Sequence, residues 1–219
     1  MLPRVLEPEV MDSAEEAHDY DLMDHSQVNR AFAADFLACW NGQNPILDVG
    51  TGTAQIPIEL CRHSSKAQVV AIDLAEHMLT VGRENVRKAG FADRIRLERQ
   101  DAKHLPYPAH SFAAIISNSI VHHIPEPAAV LAEVVRVARP GATLFIRDLL
   151  RPPSDDAVRH LVGTYAGDSN AHQQKMFDDS LRAALSLDEI RSLVAGLGFD
   201  ANSVQQTTDR HWTWQATAV

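Results

Sequence analysis

The sequence predicts an α/β fold in which a doubly wound, mostly parallel sheet of seven strands forms a single core. Between residues 46 and 150, short apolar segments alternate with amphipathic segments of helical period. Parallel strands joined by helices require right-handed crossovers, and these connections build an open sheet. Two glycines also follow the first apolar segment directly, as they do at ligand-binding turns of such sheets. A chain of 219 residues is long enough for one such core.

Hydrophobic periodicity and turn residues place the individual elements. The predicted strands are 46–49, 68–73, 94–100, 112–118 and 142–150, with two short closing strands near 202–207 and 211–217. The predicted helices are 26–40, 54–63, 75–89, 126–138 and 187–196. Ser26 is expected to cap the first of these helices, and Pro140 and Gly141 are expected to turn the chain into the fifth strand. Trp212 and Trp214 share one side of the last strand, which indicates packing against the sheet.

We expect a single domain over residues 1–219, divided into four segments. An acidic N-terminal arm and a cap helix occupy 1–43, a ligand-binding core 44–150, a lid 151–186, and a closing helix with two strands 187–219. The lid interrupts the alternation with a polar stretch that is expected to be helical in pieces. Segments of this length between sheet elements are usually functional, often as covers over a substrate.

The composition argues against several classes of protein. Hydrophobic residues make up 45% of the chain and charged residues 22%, which is ordinary for a globular protein. The net charge of -9 makes nucleic acid an unexpected partner. There is no apolar run of about 18 residues, so no membrane span is expected, and the acidic N-terminus does not predict a signal peptide. Cys39 and Cys61, without CxxC spacing, favour a reducing, cytoplasmic compartment over a disulfide scaffold.

The most informative turn lies in "ILDVGTGTAQIPIEL", residues 46–60. Gly50 and Gly52 permit a positive φ and let a ligand approach the backbone, and the helix that follows offers free N–H groups. A dinucleotide fingerprint would need a third glycine where Gln55 stands. The Gly-Lys-Ser/Thr of a phosphate-binding P-loop does not occur in the sequence either. The turn therefore indicates a different ligand.

Polar residues stand where four of the predicted strands end. Asp73 ends the second strand, at the position where an acid can accept both hydroxyls of a ribose. Asp101 follows the third strand, where it could accept from an adenine amino group, and Ser117 and Asn118 end the fourth. An acid at the end of a buried apolar strand is costly unless something is bound to it. Asp48 and Asp73 are therefore predicted to be functional.

In their order and spacing, these segments resemble the motifs of class I S-adenosylmethionine-dependent methyltransferases, in particular the small type 11 branch. The matching segments are "LDVGTGTAQIPIEL", "VVAIDLAEHML", "RIRLERQDAKHLPY" and "FAAIISNSIVHHIPEPAAVLAEVVRVARPGATLFIRDL", and the resemblance covers residues 45–150. It implies a Rossmann-like sheet with helices on both faces, a C-terminal antiparallel hairpin strand, and S-adenosylmethionine as the cofactor.

The resemblance also implies which residues hold each part of the cofactor. These are Asp48, Gly50, Thr51 and Gly52 for the methionine part, Asp73 for the ribose, Leu74, Asp101 and the Ala102 backbone for the adenine, and Ser117 or Asn118 towards the sulfonium and substrate. Tyr20, in "HDYDLMDHS", is similar to an aromatic residue that many members fold over the cofactor.

The chain departs from the family pattern at several places. Many members carry a third glycine at position 54, where this chain has Ala54, a small residue that changes little. The fourth motif reads "SNSI" and lacks the Asn/Asp-Pro-Pro-aromatic run of members that methylate amines in nucleic acid. Two cysteines are too few to resemble the arsenite methylators. These departures favour a small-molecule acceptor.

Candidate catalytic groups follow the fourth strand. His122 or His123 could serve as a general base for an acceptor hydroxyl or ammonium, and the alternative is that the pair packs or caps the next helix. No third ligand at useful spacing is evident, so no metal site is expected. Asp148 could orient a substrate hydroxyl, although an ion pair with Arg151 is the simpler expectation.

Four polar residues of the lid are candidates for substrate specificity, with exposure or local bonding as the simpler expectation: Tyr165, Asp168, His172 and Gln173.

The sequence thus predicts in-line methyl transfer to a small molecule, for which the protein holds both reactants in near-attack geometry. Two alternatives stay open. One is binding of S-adenosylmethionine without methyl transfer, as a sensor or for transfer of another group. The other, which Gln55 disfavours, is a nicotinamide-dependent oxidoreductase. We expect a small-molecule methyl acceptor as partner, no nucleic acid, no membrane, and a monomer or homodimer.

Overall fold

The fold is described from a computed structural model that covers residues 2–7 and 13–219. The helices of this part of the chain are α1 Ala14–Leu22, α2 Ser26–Cys39, α3 Gln55–His63, α4 Glu76–Ala89, α5 Pro127–Val137, α6 Asp155–Tyr165, α7 Ala171–Ala183 and α8 Leu187–Gly196. The strands are β1 Ile46–Val49, β2 Val69–Asp73, β3 Ile95–Arg99, β4 Phe112–Asn118, β5 Ala138–Leu149, β6 Val204–Gln206 and β7 His211–Thr217. Short 3₁₀ turns lie at Val121–His123 and Ala201–Ser203.

The seven strands form one sheet in the order β3-β2-β1-β4-β5-β7-β6. β1 pairs in parallel with β2 and with β4, and β2 pairs in parallel with β3. The last two strands, β6 and β7, pair antiparallel. This confirms the mostly parallel α/β sheet with a C-terminal antiparallel hairpin. The strand order reverses between β1 and β4, and ligands of such sheets bind at the carboxyl ends of the strands that flank this point.

The larger of two compact units comprises residues 13–118, 129–146 and 215–219. Its strands β1 and β4 are almost entirely buried, which explains their uninterrupted apolar sequences. Phe145 lies at the centre of its core: its ring is 5.1 Å from the ring of Phe32 and 6.1 Å from that of Phe36, both on α2. A second cluster joins α1 to α4 through Ala17 and Met78.

The smaller unit comprises residues 2–7, 119–128 and 147–214. It contains the predicted lid, which is helical in two pieces, α6 and α7. These helices bury one apolar face each, through Val158 and Leu181 among others, against Leu149 of β5. Trp212 and Trp214 are completely buried, as sheet packing predicts. Across the described residues, each helix is too short or too polar to cross a bilayer.

Two local differences from the sequence prediction have clear physical causes. Helix α1 lies within the segment expected to be an arm, because Ser13 and Glu16 form a capping box at its start. Strand β5 begins before Pro140 and Gly141, which were expected to form a turn. It continues through them because Gly141 donates to the carbonyl of Ala218, so the end of the chain pairs with this stretch. Residues 1 and 8–12 of the predicted arm lie outside the described residues.

We expect Phe145→Ala to lower the free energy of unfolding by about 3–5 kcal/mol, because it removes a buried ring and leaves a cavity. Denaturant unfolding followed by circular dichroism measures the change. Val28→Ala, at a side chain that is 40% exposed, serves as the control and should stay within about 0.5 kcal/mol of the wild type. Equal losses in the two variants would contradict the placement of Phe145 in the core.

Candidate functional site

The candidate site begins at the glycine turn between β1 and α3. Gly50 and Gly52 have φ values of 76° and 53°, so both use the left-handed region that glycine permits. The backbone N–H groups of Gly50 and Thr51 donate to the carbonyl of Ile72, both at 2.9 Å. Ala54, at the cap of α3, also lies in the left-handed region with φ 64°. The turn is therefore tightly wound and tied to β2.

Asp73 connects this turn to the next one. Its Oδ2 accepts the backbone N–H of Gly52 at 2.8 Å, and its Oδ1 accepts the N–H of Ala75 at 2.9 Å. The Asp73 carbonyl also accepts from the N–H of Gln100, which follows β3. One residue thus ties together the segments that follow β1, β2 and β3.

Three polar side-chain atoms around the turn are shielded from solvent and make no hydrogen bond to a described residue: Asp48 Oδ2, Thr51 Oγ1 and Thr53 Oγ1. Asp48 is only 2% exposed. Burial raises the pKa of its carboxyl to about 7; the neighbouring Thr51 hydroxyl opposes the rise, and the charge of Asp73 adds to it. Buried polar atoms without partners are costly in a folded protein and are a common mark of a binding site.

Tyr20 of α1 lies over the glycine turn. Its Cε1 is 3.7 Å from the point that a β-carbon on Gly52 would occupy. Burial raises the pKa of its phenol, and the charges of Asp73 and Asp21 raise it further. The structure therefore brings together Tyr20, Gly52 and Asp73, three residues that the sequence proposed from separate motifs.

Gln55 has a role that the sequence did not suggest. Its side-chain Nε2 donates to Oδ1 of Asp21 at 3.1 Å, and Asn85 of α4 donates to the same oxygen at 2.8 Å. Asp21 follows Tyr20 directly, so these amides fix the end of α1 beside the glycine turn. In the sequence, only the resemblance of Tyr20 to an aromatic residue of the family indicated that this segment is part of the site. The contacts of Asp21 could not be predicted, because they join elements far apart in the chain.

The predicted adenine-side residues lie in the turns after β2 and β3, where Leu74 and Ala102 are half-buried. Asp101 keeps a side chain that is 37% exposed. Its Oδ1 accepts the backbone N–H of Lys103 at 2.9 Å, and the ammonium of Lys103 lies 3.3 Å away. The Asp101 carboxylate is thus oriented by its own turn and remains accessible.

Ser117 and Asn118 differ in what they offer. Ser117 is buried, and its hydroxyl donates to the carbonyl of Val49 at 2.8 Å, which ties the end of β4 to the end of β1. Asn118 is half-buried at the last position of the strand. Because the Ser117 donor is already used, Asn118 is the better candidate to face a ligand.

His122 and His123 lie within the smaller unit, in the 3₁₀ turn after β4. His122 Nδ1 donates to Asp148 Oδ1 at 2.5 Å. Burial by itself opposes charge on both groups, but their contact raises the pKa of His122 and lowers that of Asp148. The expected ion pair of Asp148 with Arg151 is wrong, because Arg151 pairs with Glu189 at 2.6 Å. Asp148 is held by the histidine and by the N–H groups of residues 121 and 149.

Glu7 is a third member of this histidine group that spacing could not reveal. Its Oε1 lies 3.1 Å from His123 Nδ1 and 3.6 Å from His122 Nε2. No third ligand was predicted for the two histidines, because Glu7 stands far from them along the chain. The assignment of either histidine as a general base stays a prediction.

The four residues proposed for substrate specificity are either bonded to neighbouring residues or exposed. The Tyr165 hydroxyl donates to Asp209 at 2.7 Å, and its ring stacks under the Arg210 guanidinium. Gln173 completes the capping box of α7. Asp168 and His172 are exposed.

Comparison with known proteins finds methyltransferases as relatives of this chain. Residues 47–146 match the family model described as "Methyltransferase domain". The chain is 31% identical over 165 residues to the demethylmenaquinone methyltransferase of Porphyromonas gingivalis. This alignment covers 70% of the present chain and 67% of the relative. It is 28% identical over 171 residues to the 27-O-demethylrifamycin SV methyltransferase of Amycolatopsis mediterranei. This second alignment covers 77% of the present chain and 59% of the relative.

Among solved structures, a SAM-dependent methyltransferase from Aquifex aeolicus has the same fold. Its TM-score is 0.68 at 21% sequence identity, and the match covers 95% of this chain and 100% of that one. At this identity the likeness concerns the fold alone.

The buried Asp48 carboxyl predicts a pH-dependent stability in the cofactor-free protein. Its pKa is about 7 in the folded chain, against about 3.9 when unfolded. The protonated carboxyl therefore contributes stability below about pH 4 that is lost as the pH rises to about 7. We expect the free energy of unfolding of Asp48→Asn to equal that of the wild type near pH 4 and to exceed it above pH 7. The difference should grow by up to about 1.4 kcal/mol for each pH unit between these two values.

Denaturant unfolding from pH 4 to 8 measures this difference, with the exposed Asp93→Asn as the control. A difference between Asp48→Asn and wild type that does not change with pH would overturn the raised pKa.

Proposed function

Because the chain belongs to the class I S-adenosylmethionine-dependent methyltransferases, we propose that it transfers the methyl group of this cofactor to a small-molecule acceptor. One observation carries the proposal most directly: beside the glycine turn, Asp48, Thr51 and Thr53 hold buried polar atoms that make no hydrogen bond to any described residue. A ligand with an ammonium group and other polar atoms would satisfy them. The methionine part of S-adenosylmethionine has this chemistry, so the residues present fit the cofactor.

We infer the following roles for the chain's own residues. The Asp48 carboxylate and the glycine turn hold the methionine part, Asp73 accepts the ribose hydroxyls, and Leu74 packs on the adenine. The Asp101 carboxylate and the Ala102 backbone recognise the adenine edge. Tyr20 covers the bound cofactor, and Asn118 faces the acceptor. When bound, S-adenosylmethionine supplies a methyl group already activated on a sulfonium, so the protein's main tasks are to orient the reactants and to exclude water.

The two relatives support a small-molecule acceptor, since by their names one methylates demethylmenaquinone and the other 27-O-demethylrifamycin SV. The two free cysteines, Cys39 and Cys61, support a reducing, cytoplasmic location. A nicotinamide-dependent oxidoreductase is disfavoured, because Gln55 takes the place of the third glycine and its side chain is committed to Asp21.

The function is tested by incubating the full chain with S-adenosylmethionine carrying a labelled methyl group and with each of these two acceptors, followed by a wider extract of small molecules. We expect labelled product that depends on the chain. Isothermal titration with S-adenosylmethionine, its demethylated product and NAD accompanies the assay. Binding of NAD but not of S-adenosylmethionine would overturn the proposal.

We expect Asp73→Ala to weaken binding of the demethylated cofactor at least tenfold. The wild type is expected to bind it with a micromolar dissociation constant, which corresponds to a binding free energy of about 7–8 kcal/mol. The substitution removes the ribose acceptor and also frees the N–H groups of Gly52 and Ala75. Asp73→Asn keeps one acceptor and should show an intermediate loss. Isothermal titration measures both variants, with Asp93→Ala as the surface control. Wild-type affinity in Asp73→Ala would contradict the ribose assignment.

We expect Asp101→Ala to reduce discrimination between adenosine and inosine forms of the demethylated cofactor at least fivefold. The carboxylate can accept from the adenine amino group, whereas the inosine oxygen offers no donor there. The ratio of the two dissociation constants gives the result, and Asp93→Ala again serves as the control. An unchanged ratio, with overall affinity retained, would remove Asp101 from adenine recognition.

A further inference from the structure

The group of Glu7, His122 and His123 has the geometry of a metal site. One ligand atom from each residue, Glu7 Oε1, His122 Nε2 and His123 Nδ1, lies within 4.8 Å of the other two. The carboxylate oxygen is 3.6 Å from His122 Nε2 and 3.1 Å from His123 Nδ1. Ligands bound at about 2.0–2.1 Å in a tetrahedron are separated by about 3.4 Å. Both measured distances are close to this separation.

His122 is oriented as metal-binding histidines are. Its Nδ1 donates to the Asp148 carboxylate at 2.5 Å, which leaves Nε2 directed at Glu7. Asp148 is itself fixed by the backbone N–H of Val121 at 2.5 Å and that of Leu149 at 2.6 Å. A carboxylate behind the imidazole fixes its tautomer and ring orientation at metal centres. His122 therefore already has the carboxylate partner that orients histidine ligands at metal sites.

Glu7 is held in place by contacts other than those to the histidines. Its second oxygen, Oε2, accepts from the Ser180 hydroxyl at 3.3 Å. Nearby, the Arg4 guanidinium donates to the carbonyls of His122 and Ile124, both at 3.0 Å. These bonds fasten residues 2–7 to the turn that carries both histidines, so the carboxylate is positioned in advance.

Among the described residues, two of the three candidate ligand atoms have no hydrogen-bond partner. Glu7 Oε1 and His123 Nδ1 are shielded from solvent, and neither makes a hydrogen bond to a described residue. They are 3.1 Å apart, within ion-pair distance but not in a hydrogen-bonding orientation. A buried carboxylate oxygen and a buried imidazole nitrogen without hydrogen bonds are expensive, and a shared cation satisfies both.

We propose that Glu7, His122 and His123 bind a divalent transition-metal ion of the zinc class. Two imidazoles and one carboxylate suit zinc and its first-row neighbours, whereas magnesium and calcium prefer sites made of oxygen ligands alone. The proposed metal ligands include none of the residues proposed to hold the cofactor, and the proposal does not depend on the proposed methyl transfer. The competing arrangement is an ion pair of Glu7 with charged histidines, which needs no metal.

The test uses the full chain, stripped of metal with a chelator and dialysed. Zinc chloride is titrated against a chromophoric competitor, and cobalt chloride is added to a second sample to record its visible absorption. We expect one equivalent of zinc with a micromolar or lower dissociation constant, a rise in Tm, and cobalt bands of a site with fewer than six ligands. Magnesium at the same concentration should have no effect.

Two variants locate the site. Glu7→Gln and His123→Gln should each weaken zinc binding at least tenfold, and His123, which is 20% exposed, should tolerate the change in the fold. Glu126→Gln and His160→Gln, at exposed positions of the same unit, are the matched controls. Far-ultraviolet circular dichroism checks that each variant is folded.

The proposal is overturned if the wild type binds no stoichiometric zinc, which is the result that a simple ion pair predicts. It is also overturned if folded Glu7→Gln and His123→Gln bind zinc as tightly as the wild type, because the ion would then lie elsewhere. Loss of affinity in these two variants alone supports it.

Discussion

The proposed cofactor site depends on the contacts of the Asp73 carboxylate. It accepts the backbone N–H groups of Gly52 and Ala75, so one side chain fixes the turns that follow two neighbouring strands. Charge-assisted bonds of this kind are stronger than neutral ones. Burial is the main cause of the raised pKa of the Asp48 carboxyl and of the Tyr20 phenol, and the charge of Asp73 adds to both shifts. The acid at the end of β2 therefore fixes the geometry of these turns and contributes to their electrostatics.

The arrangement around the glycine turn costs the folded chain some stability. Ala54 takes a left-handed conformation that favours glycine. Asp48, Thr51 and Thr53 bury polar atoms that form no hydrogen bond within the described part of the chain. Such costs concentrate at functional sites, where the surrounding structure maintains them. A ligand that satisfies these atoms binds the folded state alone and shifts the balance towards it. In the proposed function, the cost of this turn to the folded chain and the affinity for the cofactor therefore have the same structural cause.

The sequence predicted the elements whose signal is local. β1, β4 and α8 occur at the predicted residues, because continuous apolar runs and helical periodicity depend only on neighbouring positions. Strand-end residues such as Asp73 could be proposed for the same reason, since parallel strands deliver their carboxyl ends to one edge. Contacts between distant segments were not predictable. Pairing with Ala218 carries β5 through Pro140, and the choice of His122 as the partner of Asp148 depends on packing that no spacing encodes.

Gln55 bears both on the class of ligand that the turn can hold and on the placement of Tyr20. At this position a dinucleotide site needs glycine, because the helix must approach a pyrophosphate closely. A glutamine side chain is compatible with a cofactor that has no pyrophosphate, and here its amide donates to Asp21 at 3.1 Å. Asp21 follows Tyr20, whose ring lies over Gly52. The residue that argues against one class of cofactor therefore also anchors the helix that brings an aromatic ring to the turn, and the absence of the third glycine is part of how this site is built.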